Sequence, residues 1–154
     1  MELSRLAVES GPYHIRKGDG RINISIVAPA YNEEQVITKF VESITSYMRQ
    51  TDLSWELLII NDGSTDKTGE ILSSLPISEL RVMSHKENLG LGKGLQTGFA
   101  HAQGDVVITM DADCTHDPEN IASLYQAILN GYDVAIASRY IPGGGMVNVP
   151  QWRQ

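Results

Sequence analysis

From Ile22 onward, unbroken apolar runs rich in β-branched residues alternate with stretches in which apolar positions recur every three or four residues. The first run, INISIVAPA, reads as a strand buried on both faces. The stretch that follows, EEQVITKFVESITSYMRQ, sets Val36, Ile37, Phe40, Val41, Ile44, Tyr47 and Met48 on one helical face. Asn32 is the expected N-cap of that helix, with Glu33 and Glu34 in its first turn. WELLIIN follows as a second strand, TDKTGEILSSL as a shorter helix with Ile71, Leu72 and Leu75 inward, and LRVMSH as a third strand. GKGLQTGFAHA is a helix of small residues that can pack closely on a sheet. DVVITM, PENIASLYQAILN and YDVAIAS then read as strand, helix and strand. Pro118 suits the first helical turn after Asp117 as N-cap, and Gly131 suits the position just past the helix end.

Strands without alternation, separated by helices, imply a parallel sheet covered on both faces, and thus an α/β domain. In such sheets ligands bind beyond the carboxyl ends of the strands. Each polar cluster of this sequence falls at such an end: AYNEE, NDGSTD, HKENLGLGK, DADCTHD and SRY, after the first to the fifth strand. Residues 1–21 mix charge, Gly and Pro without a period and read as an irregular leader; residues 22–154 form the domain.

Composition narrows the function. At 154 residues and 42% hydrophobic content, the chain is long enough for one domain with a sizeable core. With 12 basic against 19 acidic residues the formal charge is −7, which disfavours a nucleic-acid partner. The one cysteine, Cys114, forms no internal disulfide and favours a reducing compartment, hence a cytoplasmic setting. No run approaches the roughly 18 apolar residues that span a bilayer, so no membrane anchor is expected within this chain.

Charge at the strand ends suggests the chemistry. Asp62 follows a buried strand, and Gly63 permits a tight turn that aims its carboxylate at a base N–H or ribose hydroxyl; Ser64 and Asp66 read as caps of the next helix. Asp111 and Asp113, two apart on chain expected to be still extended, project to one side. Two like charges about 4 Å apart repel by roughly 4 kcal/mol at an effective dielectric of about 20, so a cation is called for. Oxygen-only ligands select Mg²⁺ or Mn²⁺, whose shells are completed by water and substrate phosphates. Lys93, flanked by glycines at a helix start, can meet a phosphate, and Arg139, after the fifth strand, is a second anion-binding candidate. Both also fit an ordinary α/β helix start and strand end.

The ordered set A-Y-N-E, N-D-G-S-T-D, N-x-G-x-G-K-G, D-A-D and S-R-Y-x-x-G-G-G resembles the family 2 glycosyltransferases of GT-A fold, over residues 22 to about 145. DADCTHDPE and SRYIPGGG look most like the polyprenyl-phosphate (dolichol-phosphate) mannosyltransferase and glucosyltransferase group. The resemblance implies a Rossmann-like three-layer sandwich with a mostly parallel central sheet, the C-terminal part of the usual domain missing. It implies that Pro29, Tyr31, Glu33 and Asp62 frame the base and ribose of a nucleoside diphosphate sugar, with GDP-mannose and UDP-glucose the leading donors. Asp111 and Asp113 would hold the divalent ion on the diphosphate, Asp113 most directly, and Arg139 would position a polyprenyl-phosphate acceptor. The implied reaction is metal-dependent inverting transfer at the cytosolic face of a membrane, reached through the missing C-terminal part or a partner. Asn61 stands where many relatives carry an Asp, and Thr115 where they often carry a Gln. A nucleotide-sugar-binding module without turnover is the alternative. A nucleotidyltransferase would open with a Gly-rich basic loop, which AYNEE is not.

Overall fold

The computed structural model describes residues 21–138. Its elements run β1 (Ile24–Ala30), α1 (Ile37–Met48), β2 (Trp55–Asn61), α2 (Thr68–Ser74), β3 (Leu80–Ser84), α3 (Leu91–His101), β4 (Val106–Thr109) and α4 (Asn120–Leu129). The strands form one parallel sheet in the order β3-β2-β1-β4. β1 and β2 lie in register from Ile24 opposite Trp55 to Ala30 opposite Asn61. β4 pairs only as far as Thr109 opposite Val27.

Unalternating strands produce two cores, one on each face. Ile24, Ile26 and Ala28 of β1, with Leu57 and Ile59 of β2, join Phe40, Val41 and Ile44 of α1, Leu72 of α2 and Ile121, Tyr125 and Leu129 of α4. On the opposite face Val27, Leu58 and Ile60 pack with Leu95 of α3. That second layer is thin because α3 presents glycines. A methyl group on Gly94 would lie 3.0 Å from Pro29 Cβ, and one on Gly98 would lie 2.2 Å from Val27 Cγ1. Small residues therefore bring α3 down onto β1, as its composition predicts.

Pro29 is tolerated in a central strand for a geometric reason. The Val27 carbonyl accepts the Met110 N–H at 3.1 Å on the β4 side. Two residues on, Pro29 faces the same side, where β4 has already left the ladder, and its missing N–H costs no rung. At the opposite end of the sheet, buried Glu56 accepts hydrogen bonds from Ser25 Oγ at 2.5 Å and Gln103 N at 2.7 Å, and pairs with Arg81. This polar knot fixes the end remote from the ligand edge.

Two expected features take a different form. α1 starts at Ile37, and Asn32 is not its cap: Asn32 adopts a φ of 56°, and its side-chain Oδ1 accepts the Thr65 N–H at 2.8 Å. The chain from Tyr132 to Ser138, expected as a fifth strand, pairs with no strand among the described residues. Val134 and Ile136 are instead 73% and 82% exposed, and this segment, β4 and α4 border a cavity of about 660 Å³. No helix among the described residues is long and apolar enough to cross a membrane.

Candidate functional site

The loops after β1 and β2 are knitted together. Asn32 N–H donates to Ser64 Oγ at 3.0 Å, Glu33 N–H to Thr68 Oγ1 at 2.8 Å, and Glu34 N–H to Asp66 Oδ2 at 3.1 Å. Lys67 N–H returns a bond to Glu34 Oε2 at 3.0 Å. Asp66 thus has the capping role read from the sequence, accepting the Thr68 N–H at 2.9 Å where α2 begins, and it also braces the first loop. Burial would raise its carboxyl, but bonds from Thr68 and the Glu34 amide outweigh that and hold it below the usual carboxylate range. Ser64 is a cross-loop acceptor rather than a cap.

These loops, with the end of β4, make an acidic corner. Tyr31 is exposed just past the end of β1, and Glu33 is half-buried. The Glu33 carboxyl is raised by burial first, and then by the charges of Asp113 and Asp66. The Cys114 thiol is likewise raised, chiefly by burial, with Asp113 and Glu33 adding to it against the opposing effect of Lys39. Adjacent strand ends therefore place Glu33 within electrostatic reach of both Asp66 and Asp113.

The DAD segment is a turn, not extended chain: β4 ends at Thr109, the turn covers Ala112 and Asp113, and Cys114 has a φ of 61°. Alternating burial persists, because Met110 and Ala112 are buried while Asp111 and Asp113 are exposed. Asp113 Oδ1 accepts the Thr115 N–H at 2.9 Å and hydroxyl at 2.7 Å. Asp111 has His116 beside it, with Nε2 3.9 Å from Oδ2 and Nδ1 accepting the Asp111 N–H at 3.3 Å. The two carboxylates share an edge but have different neighbours. Among the described residues no group of three or more His, Cys, Asp or Glu forms a metal cage. An exposed, oxygen-only pair fits a hard cation that keeps part of its shell for water and substrate oxygens.

Asp62 sits at the end of β2, as expected, but is only 3% exposed. Its Oδ1 accepts from His85 Nδ1 at 2.6 Å and Leu89 N at 3.0 Å, and its Oδ2 from Gly90 N at 2.8 Å. Burial would raise this carboxyl, but those three donors reverse the effect and leave it lowered. Gly63 has a φ of 67°, yet its lack of a side chain serves a close approach: a methyl there would lie 2.2 Å from the Glu87 carbonyl carbon. Lys93 is exposed in the first turn of α3, its Nζ donating to Gln96 Oε1 at 2.9 Å, one residue before the Gly94 that packs on Pro29. Arg139 lies outside the described residues. The sequence signals His85 and His116 only as a histidine within each of two strand-end polar clusters.

The description "Glycosyl transferase family 2" belongs to the family model that matches residues 25–152. Over 137 residues the chain is 36% identical to the dolichol-phosphate mannosyltransferase of Pyrococcus furiosus, which covers 86% of this chain and 38% of that protein. It is 37% identical over 115 residues to the undecaprenyl-phosphate 4-deoxy-4-formamido-L-arabinose transferase of Pectobacterium carotovorum, covering 73% of this chain and 35% of the relative. Among solved structures, glucosyl-3-phosphoglycerate synthase from Mycobacterium tuberculosis, in complex with Mn²⁺, UDP and glucosyl-3-phosphoglycerate, matches with a TM-score of 0.59 at 31% identity. That match covers 73% of this chain and 41% of the solved one. The chain thus spans well under half the length of the relatives it matches.

Proposed function

The chain belongs to glycosyl transferase family 2, and from that premise we propose that it forms the donor-binding core of an enzyme that moves a sugar from a nucleoside diphosphate to a polyprenyl phosphate. The observation that supports this reading is the acidic corner at the ends of β1, β2 and β4, where the charges of Asp113 and Asp66 act on the Glu33 carboxyl. Such crowding is unfavourable by itself and is relieved by a cation. Pro29, Tyr31 and Glu33 would frame the base and ribose, Asp62 would support them from the end of β2, and Lys93 would face the diphosphate. Asp111 and Asp113 would hold Mg²⁺ or Mn²⁺, which supplies positive charge for the diphosphate.

The reaction follows from the charges. An acceptor phosphate oxygen, already anionic at pH 7, forms a bond to the anomeric carbon from the face opposite the leaving group. The bond from that carbon to the diphosphate oxygen breaks, its electron pair leaves on the nucleoside diphosphate, and the configuration inverts. No proton is removed from such an acceptor, so the chain needs no general base for this step. Lys93 would orient the departing group and offset part of its charge, and Asp111 and Asp113 would hold the cation that offsets the rest. Arg139 would hold the acceptor, and the transfer would take place at the cytosolic face of a membrane.

A second reading, nucleotide-sugar binding without turnover, is favoured by one observation: the match covers 38% of the dolichol-phosphate mannosyltransferase. Incubation with radiolabelled GDP-mannose or UDP-glucose, polyprenyl phosphate and Mn²⁺, followed by organic extraction, separates the two. Labelled lipid supports transfer by these 154 residues. Donor binding by calorimetry without labelled lipid supports the binding module. Absence of binding to either donor would refute both.

A further inference from the structure

The segment Lys86–Gly90, which leads into α3, is held by polar contacts rather than by packing. Leu89 and Leu91 are 49% and 62% exposed, and a methyl added at Gly90 or Gly92 would meet nothing within 4 Å. No apolar burial therefore fixes this stretch at its end nearest α3. What does fix it is one carboxylate: Asp62 accepts the backbone N–H groups of both Leu89 and Gly90. The absence of a side chain at Gly63 lets Glu87 and Asn88 lie close against β2.

His85 completes the arrangement. Its backbone N–H donates to the Asn61 carbonyl at 2.9 Å, which continues the pairing of β3 with β2. Its ring lies between Asp62 Oδ1, 2.6 Å from Nδ1, and Thr97 Oγ1, 2.9 Å from Nε2. An ionised carboxylate only accepts, so Nδ1 carries the proton; in the neutral ring Nε2 then accepts from the Thr97 hydroxyl. The ring thereby ties the carboxylate that grips the loop to the body of α3. The His85 donor fixes the orientation in which the buried Asp62 carboxylate reaches both amides.

We propose that His85 is a positioning residue for nucleotide binding: with Asp62 and Thr97 it clamps Lys86–Gly90 and the start of α3 in the binding arrangement. The inference rests on the nucleotide-binding reading above. A loop held before the ligand arrives loses little freedom on binding, whereas a released loop must be ordered at the expense of affinity. The clamp acts on a segment with little apolar burial, so its loss weakens binding more than it weakens the fold.

Calorimetric titration of the full chain with UDP and with GDP, in Mn²⁺, tests this. His85→Phe, which fills the space without a donor, is expected to raise the Kd about tenfold. His85→Asn, whose carboxamide N–H falls near the Nδ1 position, is expected to stay within about threefold of wild type. His85→Gln, which reaches instead toward Thr97, is expected to resemble His85→Phe. Wild-type affinity in His85→Phe, with only its thermal midpoint lowered, would overturn the proposal and leave a purely structural histidine. Should His85→Phe fail to fold, the Asn and Gln variants decide, and equal affinity in those two overturns the proposal. A wild-type chain that binds neither nucleotide overturns the nucleotide reading itself, and this inference with it.

Discussion

The close seating of α3 on β1 can be measured by one methyl group placed at two points on the same helix. Gly98→Ala would put Cβ 2.2 Å from Val27 Cγ1, and 3.3 Å from its Cβ and Cγ2, where ordinary contact begins at 3.4 Å. Val27 cannot easily yield: it is fully buried, β-branched, and paired in register with both Leu58 and Thr109. Overpacking of this kind costs about 1–3 kcal/mol. Gly92→Ala makes the same chemical change in the same helix, where the new methyl meets nothing within 4 Å. Each substitution gains up to about 1 kcal/mol of helix propensity, so the difference between them isolates the contact with Val27. Gly92→Ala should therefore be neutral or stabilising, and Gly98→Ala should lie about 1–3 kcal/mol below it. Urea unfolding followed by far-ultraviolet circular dichroism gives both values. Combining Gly98→Ala with Val27→Ala should be less damaging than the sum of the two, because the second change makes room for the first. Equal midpoints for Gly92→Ala and Gly98→Ala would refute the close seating, and with it the placement of the α3 start beside Pro29.

Two further predictions concern the carboxylates. Asp113→Ala should leave the fold intact while abolishing the Mn²⁺-dependent part of UDP or GDP affinity; equal wild-type affinity in Mn²⁺ and in EDTA would remove the metal assignment. Asp62→Asn should weaken nucleotide binding far more than Asp66→Asn, which should lower the urea midpoint only slightly. The lowered carboxyl of Asp62 adds a pH test. A depressed folded value contributes stability that is present above the unfolded value of about 3.9 and is lost as pH falls through the folded one. The wild-type urea midpoint should therefore fall more steeply than that of Asp62→Asn as pH drops below about 4.

The strand ends were legible because continuous apolar runs such as INISIVAPA and WELLIIN have few other uses, and each stops at a polar cluster. α3 was legible as a closely packed helix from its glycines. Contacts between distant residues were not legible. Asp62 finds its partners 23, 27 and 28 residues further on, so nothing local told whether its carboxylate faced a ligand or the protein. Asn32 looked like a helix cap because asparagine caps helices, but it also tolerates positive φ, and the bond to Thr65 decides in favour of that. Tyr132–Ser138 has the composition of a strand, yet a strand also requires pairing, which composition cannot show and which this segment lacks among the described residues.

The unpaired side of β4 bears on how firmly the acidic corner is held. Among the described residues β4 has four residues in register with β1 and no strand on its other side, whereas β2 has seven in register with β1 and pairs β3 as well. Five large apolar side chains, Phe99, Val107, Tyr132, Val134 and Ile136, stand exposed around the neighbouring cavity. Covering them would be worth on the order of 5 kcal/mol, comparable to the whole stability of a small domain. Asp111 and Asp113 hang from the strand least protected by the cooperative unit. The amides of Val107 and Thr109, which alternate with the β1-bonded amides of Val106 and Met110, are expected to exchange with deuterium early. Anything that quiets the far edge of β4 would tighten the carboxylates at its tip.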